Sequence, residues 1–484
     1  MSATEGGATP LDWRRPAGAD EVRSALLALR AEDLPTHGGR TLSYVYDSGL
    51  SSADEIGREA LTQFAAANGL DPTAFPSLAA LESDLVALAR DLLDGPPGTV
   101  GAATSGGTES LVLAVLAARD GNPQVSRPQV VVPTSVHAAV HKAGHLLGID
   151  IASVPVDPLT LRADPAAMAA AVTDSTVLVV ASAPSYAHGV IDPVAEIAAM
   201  AAERGIRCHV DACIGGWVLP FLDDVPPWTF ALDGVTSISV DLHKYAYTPK
   251  GISLLLHREP SLRKGHLFAS AAWPGYTMLN TTLQSTKSGG PLAAAWAVVH
   301  AIGLDGYREL AGRARSATLE VAESVAGIEG LRVVVAPDST LLALAADAGC
   351  DVFTVADEMA ARGWLVQPQM SFADLPATLH LTLCAATAAH TRELVTALAE
   401  SVAAARAAGP VQVDPDLAAA ARQIDPDGLD EATLDGLLAI AGLAGDGGAL
   451  RVPTRMAEVN ALLDLAPPAL REALLLAVLD RLTR

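Results

Sequence analysis

Residues 175–216 read STVLVVASAPSYAHGVIDPVAEIAAMAAERGIRCHVDACIGG. The apolar run after Ser175 is short and unbroken, the stretch from Pro193 to Gly205 has apolar residues at helical spacing, and RCHVDAC is again short and apolar before a Gly-Gly turn. Strand, helix and strand in that order mark an α/β domain with a mostly parallel sheet. The alternation extends upstream. PSLAALESDLVALARDLLDG (76–95) reads as a helix stopping at Gly95, TSGGTESLVLAVLAARDG (104–121) as a glycine turn opening a helix, and QVVVPTS (129–135) as a buried strand. Downstream, SVDLHKYAYTPKGIS (239–253) lies between DGVTSI and LLLHR, and so reads as a turn joining two short buried strands.

The helical run 289–327 then leads to LRVVVAP, LLALAAD, DVFTVADEMAARGW and TLHLTLC, which fit a smaller α+β module. The expected organisation is an N-terminal arm (1–60), a large domain (61–310), a small domain (311–409) and a helical C-terminal extension (410–484).

At 484 residues, half of them hydrophobic and 18% charged, the chain has the composition of a globular protein with a large core. A net charge of −23 argues against a nucleic-acid partner, which requires clustered Lys and Arg. No apolar run approaches the roughly 18 residues of a membrane span, and the opening residues lack a signal peptide's basic start. Cys208, Cys213, Cys350 and Cys384 show no paired framework. A soluble, cytoplasmic protein with free thiols and no membrane anchor is expected.

Four segments could carry chemistry, all near expected strand ends, where α/β sheets place ligands. In TSGGTES, Gly106 and Gly107 permit close backbone approach, and Thr108 opens a helix whose free N–H groups favour an anion; the same turn is also an ordinary helix start. In HVDAC, His209, Asp211 and Cys213 share one face of a strand, which suits either a metal or a carboxylate paired with a cation. In TSVHAAVHKAGH, His137, His141 and His145 recur at helical stripe spacing, two of them fitting a solvated face. In the 239–253 turn, Lys244 in a shielded pocket could lose its charge by desolvation and attack carbonyls. A phosphate cradle, a carboxylate, an aromatic platform and a lysine together suit pyridoxal 5′-phosphate, with Lys244 as the Schiff-base lysine and Asp211 keeping the pyridine nitrogen protonated.

TSGGTES, HVDACIGGWVLPF and SVDLHKYAYTPKG resemble the pyridoxal phosphate-dependent decarboxylase family of fold type I (the aspartate aminotransferase-like fold). LLDGPPGTVGAATSGGTES, APSYAHGVIDPV and GPLAAAWAVVHAIGLDGY make the chain most similar to its sphingosine-1-phosphate lyases, especially bacterial ones. The resemblance implies the following roles. His137 stacks on the cofactor ring; Gly107, Thr108 and His243 contact its phosphate; Cys213 lies under the opposite ring face. Ser288 and Gly289, in STKSGG, reach the neighbouring subunit's cofactor in a homodimer with shared sites. Lys250 and Tyr46 hold an anionic group of a small-molecule amine substrate. Asp71 stands where the lyases carry a histidine for substrate phosphate, and a carboxylate facing that phosphate would repel it. The implied reaction is carbon–carbon cleavage of an amino alcohol, possibly phosphorylated, to an aldehyde and an amine. The alternatives are amino-acid decarboxylation on the same scaffold and a scaffold without turnover.

Overall fold

The computed structural model describes residues 11–413, 419, 423–424, 428–440, 442–443 and 453–482. Seven strands form the main sheet: β1 (Val100–Thr104), β2 (Gln129–Pro133), β3 (Asp150–Val154), β4 (Thr176–Ser182), β5 (Arg207–Asp211), β6 (Ser237–Val240) and β7 (Ser253–His257). Their order is β1-β7-β6-β5-β4-β2-β3. The pairings from β3 across to β6 are parallel, while β7 runs antiparallel to both β6 and β1. The β4–helix–β5 unit is as expected, with Leu178 opposite Arg207 and Ser182 opposite Asp211. All of β4 is buried, which is why its apolar run does not alternate.

A short hairpin follows, β8 (Phe268–Ser270) and β9 (Met278–Asn280). The second sheet is antiparallel, with β10 (Leu331–Val333), β11 (Leu341–Ala346), β12 (Gln367–Gln369) and β13 (Thr378–Thr382) in the order β10-β11-β13-β12. Helix Gly289–Val325 connects the two sheets and is broken at Gly303, whose φ of 66° and ψ of 172° leave the helical region. Its first half packs Leu292, Ala295 and Val299 into the main core, and its second half packs Ala317, Val321 and Val325 into the small one. The division expected at 310/311 therefore falls inside one helix. The N-terminal arm is also not separate: Thr41 bridges Leu365, and Leu42 is fully buried in the small core.

The helix over 76–95 ends earlier than expected, at Leu92. Asp94, with φ of 55°, takes the left-handed position, and the Gly95 N–H closes the end by donating to Arg90 O at 2.8 Å. Beyond residue 409 the described chain includes helices Glu431–Ile440, Ala457–Leu465 and Pro468–Leu482. No helix among the described residues is long and apolar enough to cross a membrane.

Candidate active site

The 241–252 turn sits where β6 ends, at the same edge as the ends of β4 and β5. Its backbone is tied down by Asp241 N–H to Cys213 O (3.1 Å), Lys244 N–H to Asp241 O (3.1 Å) and Tyr247 N–H to Lys244 O (3.0 Å). Aromatic anchors fix it from behind. Tyr245 donates to Leu383 O at 2.8 Å and accepts from Thr340 Oγ1 at 2.6 Å, while Tyr307 donates to Ala246 O at 2.8 Å. The YAY sequence thus clamps the lysine turn between the small sheet and the long helix.

Lys244 Nζ lies 2.9 Å from Asp241 Oδ2, and Ser253 Oγ donates to Asp241 Oδ1 at 2.6 Å. Burial, the largest single influence, pulls the lysine's pKa down, but Asp241 together with Tyr46 and Cys213 more than offsets it and the net shift is upward. For the carboxylate, burial pushes the pKa up, but Lys244 and His243 pull the other way and leave it lowered. The expected loss of lysine charge by desolvation is therefore not found: a buried counter-ion holds the ammonium.

The GGT turn faces this pair. A Cβ on Gly107 would fall 2.7 Å from Cys213 Sγ and 2.9 Å from both Asp241 carboxylate oxygens, so only glycine fits. Gly107 opens helix Gly107–Asp120, whose first-turn Glu109 accepts from Ser105 N at 2.6 Å and from Leu283 N at 2.8 Å. Asp211, at the end of β5, accepts from Cys213 N at 3.1 Å and from Ser239 Oγ at 3.4 Å.

Lys250 lies past Pro249, beside Gly251 with φ of 97°. Its Nζ donates to Tyr44 O at 3.0 Å and His243 O at 3.3 Å and sits 5.0 Å from the Tyr46 ring centre. Displaced water and the nearby Lys244 push its pKa down to about 8. Among the described residues it has no carboxylate partner. Tyr44 itself has φ of 63°, a strained conformation for a tyrosine that brings its carbonyl to the lysine. Burial pushes the Tyr46 hydroxyl up to about 12, so it stays protonated at neutral pH.

One cavity of about 710 Å³ gathers these groups: Tyr46, Gly107, Thr108, His137, Asp211, Cys213, His243, Lys244 and Lys250 all line it. His137 reaches it from the turn after β2, not from a helix, because the helix begins at Ala139; His141 and His145 lie on that helix and are exposed. His209 points elsewhere, its two ring nitrogens taken by Ser237 Oγ (2.8 Å) and Ser239 Oγ (3.2 Å). Burial lowers its pKa to about 4 and keeps it neutral. Ser288 and Gly289 are outside this chain's cavity: Ser288 bridges Asn68, and the preceding Lys287 pairs with Glu82 at 2.8 Å. Asp71 is exposed and turned to its own loop, accepting from Thr73 N at 2.8 Å and Thr73 Oγ1 at 2.6 Å. The expected repulsion between Asp71 and a substrate anion in this chain's cavity therefore has no geometric basis.

Asp241, Tyr186 and Gln367 are among the lining residues that sequence reasoning gave no role. Asp241 carried a signal, an acid three residues before the lysine. Tyr186 stacks on His380 with ring centres 4.0 Å apart, a contact set by the small sheet and invisible locally.

Comparison with known proteins places this geometry. The sphingosine-1-phosphate lyase structure from Burkholderia pseudomallei superimposes with a TM-score of 0.78 at 32% identity, covering 83% of this chain and 94% of that one. The fold is that of the fold type I pyridoxal phosphate enzymes. A sphingosine-1-phosphate lyase of Dictyostelium discoideum is 37% identical over 68% of this chain and 62% of its own length. A probable L-tyrosine/L-aspartate decarboxylase of Methanocella arvoryzae is 34% identical over 73% of this chain and 90% of its own. The chain thus spans less than two thirds of the Dictyostelium relative's length. Residues 37–328 match the pyridoxal-dependent decarboxylase conserved domain, and residues 415–481 match the C-terminal HTH-type domain of pyridoxal-dependent enzymes. The chain belongs to the pyridoxal-dependent decarboxylase family, and its cofactor is pyridoxal 5′-phosphate.

The site fits that cofactor. Among the described residues His243 Nδ1 and Gln367 Oε1 are buried without hydrogen-bond partners, and both residues line the cavity. With the Gly107 cradle at a helix N-terminus and the Asp211 carboxylate, they offer the donors and acceptors that a phosphate and a pyridinium require.

Proposed function

We propose that the protein is a carbon–carbon lyase acting on an amino alcohol with an anionic, phosphate-type group, such as a sphingoid base phosphate. The observation that carries this reading is Lys250. A second cation lines the cavity of Lys244, held by the carbonyls of Tyr44 and His243 over the Tyr46 ring and, among the described residues, without a carboxylate in salt-bridge contact, so an incoming anion would supply its counter-charge. The lyase relatives supply the reaction type.

When bound, the cofactor supplies an aldehyde for the substrate amine and a ring that draws electrons from the carbon bearing it. Lys244 Nζ would form the covalent link and carry a proton, with Asp241 stabilising its cationic form. The Asp211 carboxylate, fixed by Cys213 N–H and Ser239 Oγ, would hold a proton on the ring nitrogen. His137 would form a platform for one ring face and Cys213 would face the other. Gly107, Thr108 and His243 would hold the cofactor phosphate. Tyr46, kept protonated by burial, donates beside Lys250 to the substrate's anionic end.

In this reading Ser288 and Gly289 complete the site of a second subunit. The tip region of the β8–β9 hairpin supports self-association, since Phe268, Trp273, Tyr276 and Leu279 are all exposed by 44–56%. Light scattering on the purified protein should give a dimer's mass. A cytoplasmic location accords with the unpaired cysteines.

Decarboxylation is the second reading, favoured by the Methanocella relative of which the chain covers 90%. One experiment separates the two: incubate the holoenzyme with sphingosine-1-phosphate and, separately, with L-tyrosine and L-aspartate. A fatty aldehyde with phosphoethanolamine supports the lyase; carbon dioxide release from the amino acids alone would replace it with the decarboxylase.

A further inference from the structure

A second cavity of about 360 Å³ adjoins the first and shares His137 and Tyr186 with it. One wall is the β12–β13 hairpin, which contributes Met370, Phe372, Leu375 and Pro376. The tip of this hairpin closes on itself through Phe372 N to Leu375 O (3.1 Å) and Leu375 N to Phe372 O (2.9 Å). Gln367, at the start of β12, lines the first cavity, so the hairpin spans both.

This wall is held from outside by the C-terminal helices. Asp464 Oδ1, in the last turn of helix Ala457–Leu465, accepts from Ser371 N at 2.6 Å and Ser371 Oγ at 2.9 Å. The other end of the same helix is anchored to helix Val352–Ala361. Asp357 accepts there from Met456 N (2.9 Å) and Ala457 N (3.0 Å), while Arg455 donates to Glu358 at 2.7 Å. Ala457 and Ala461 pack into the small core.

The segment is poorly suited to nucleic acid despite its HTH-type match. Between 415 and 481 it has eleven acidic residues, five arginines and no lysine. Three of those arginines are already engaged within the protein: Arg455 with Glu358, Arg471 with the Asp464 and Ala466 carbonyls, and Arg481 with Asp435. Phosphate backbones need free clustered cations.

We infer that the C-terminal helical unit is an intramolecular buttress for the second cavity, an extension of the Lys244 site for substrate, acting through Asp464 as a positioning residue for the 370–376 wall. It is not a nucleic-acid-binding module. The inference rests on the reading of the Lys244 cavity as the active site.

The test uses the full-length holoenzyme with Asp464→Ala, Asp464→Asn and Ser371→Ala. Hydrogen exchange in peptides covering 369–378 should rise at least tenfold in Asp464→Ala, less in Ser371→Ala, and stay near wild type in Asp464→Asn, which keeps the accepting oxygen. KM for sphingosine-1-phosphate should rise about fivefold in Asp464→Ala, with kcat and cofactor absorbance unchanged. Unchanged exchange in both Asp464→Ala and Ser371→Ala would overturn the buttress. So would raised exchange with no change in KM, or retardation of a 30-base-pair duplex at 50 mM salt by the wild-type protein. Failure of borohydride to fix the cofactor on Lys244 would instead sink the active-site reading while leaving the exchange result intact.

Discussion

Lys244 Nζ stands 2.9 Å from Asp241 Oδ2, and this contact is the leading opposition to the burial that would otherwise discharge the lysine. Asp241 is 3% exposed and the Lys244 side chain 20%, so the pair is largely shielded from water. Removing one member of such a pair leaves the other charge uncompensated, at a cost on the order of 3 kcal/mol or more. Asp241→Asn keeps the shape and the Ser253 contact. Its cofactor-free form should melt several degrees below the wild type, by calorimetry at pH 7, and Lys244 should titrate lower. An unchanged midpoint would show that the ion pair contributes nothing.

Gly107 and Gly106 should respond oppositely to alanine. At Gly107 the new Cβ meets Cys213 and Asp241 at 2.7–2.9 Å, whereas at Gly106 the nearest atom is His243 Cε1 at 3.7 Å. Cofactor titration by absorbance should show at least a tenfold loss of affinity in Gly107→Ala and little change in Gly106→Ala.

Much of this was legible from residues alone, and the exceptions share a cause. The β4–helix–β5 unit showed because both strands are buried on two faces and their apolar runs are uninterrupted. Lys244, Asp211 and the GGT turn showed because each lies at a strand end, a position that the local pattern marks. His137 was placed on a helical stripe because its spacing to His141 and His145 suits one; nothing local says that the helix starts at Ala139. Tyr186 is positioned by a contact that sequence distance hides, its stacking on His380, whereas Asp71 is turned to Thr73 only two residues on. Asp241 was readable only as a charge near a lysine; its pairing depends on β6 ending at Val240.

The pH dependence of substrate binding should follow Lys250. Its pKa is depressed to about 8, so the ammonium is present below that pH and lost above it. KM for a phosphorylated substrate should therefore climb as pH rises past 8. In Lys250→Ala, KM should be high at every pH and lack this rise. A wild-type KM that stays flat to pH 9.5 would remove Lys250 from the anion site.

Asp211→Asn should lower kcat by at least two orders of magnitude, because the carboxylate matters most as negative charge develops on the ring. Cofactor affinity should fall far less, since the phosphate contacts remain. His209→Asn, which alters a residue outside the cavity, should leave kcat within a few-fold of wild type.

The central claim is that Lys244 carries the cofactor. The purified holoenzyme, reduced with borohydride, digested and analysed by mass spectrometry, should show the pyridoxyl adduct on the peptide containing Lys244, and Lys244→Ala should lose both the adduct and turnover. An adduct on Lys250, or on no lysine in a protein that still binds the cofactor, would contradict the account.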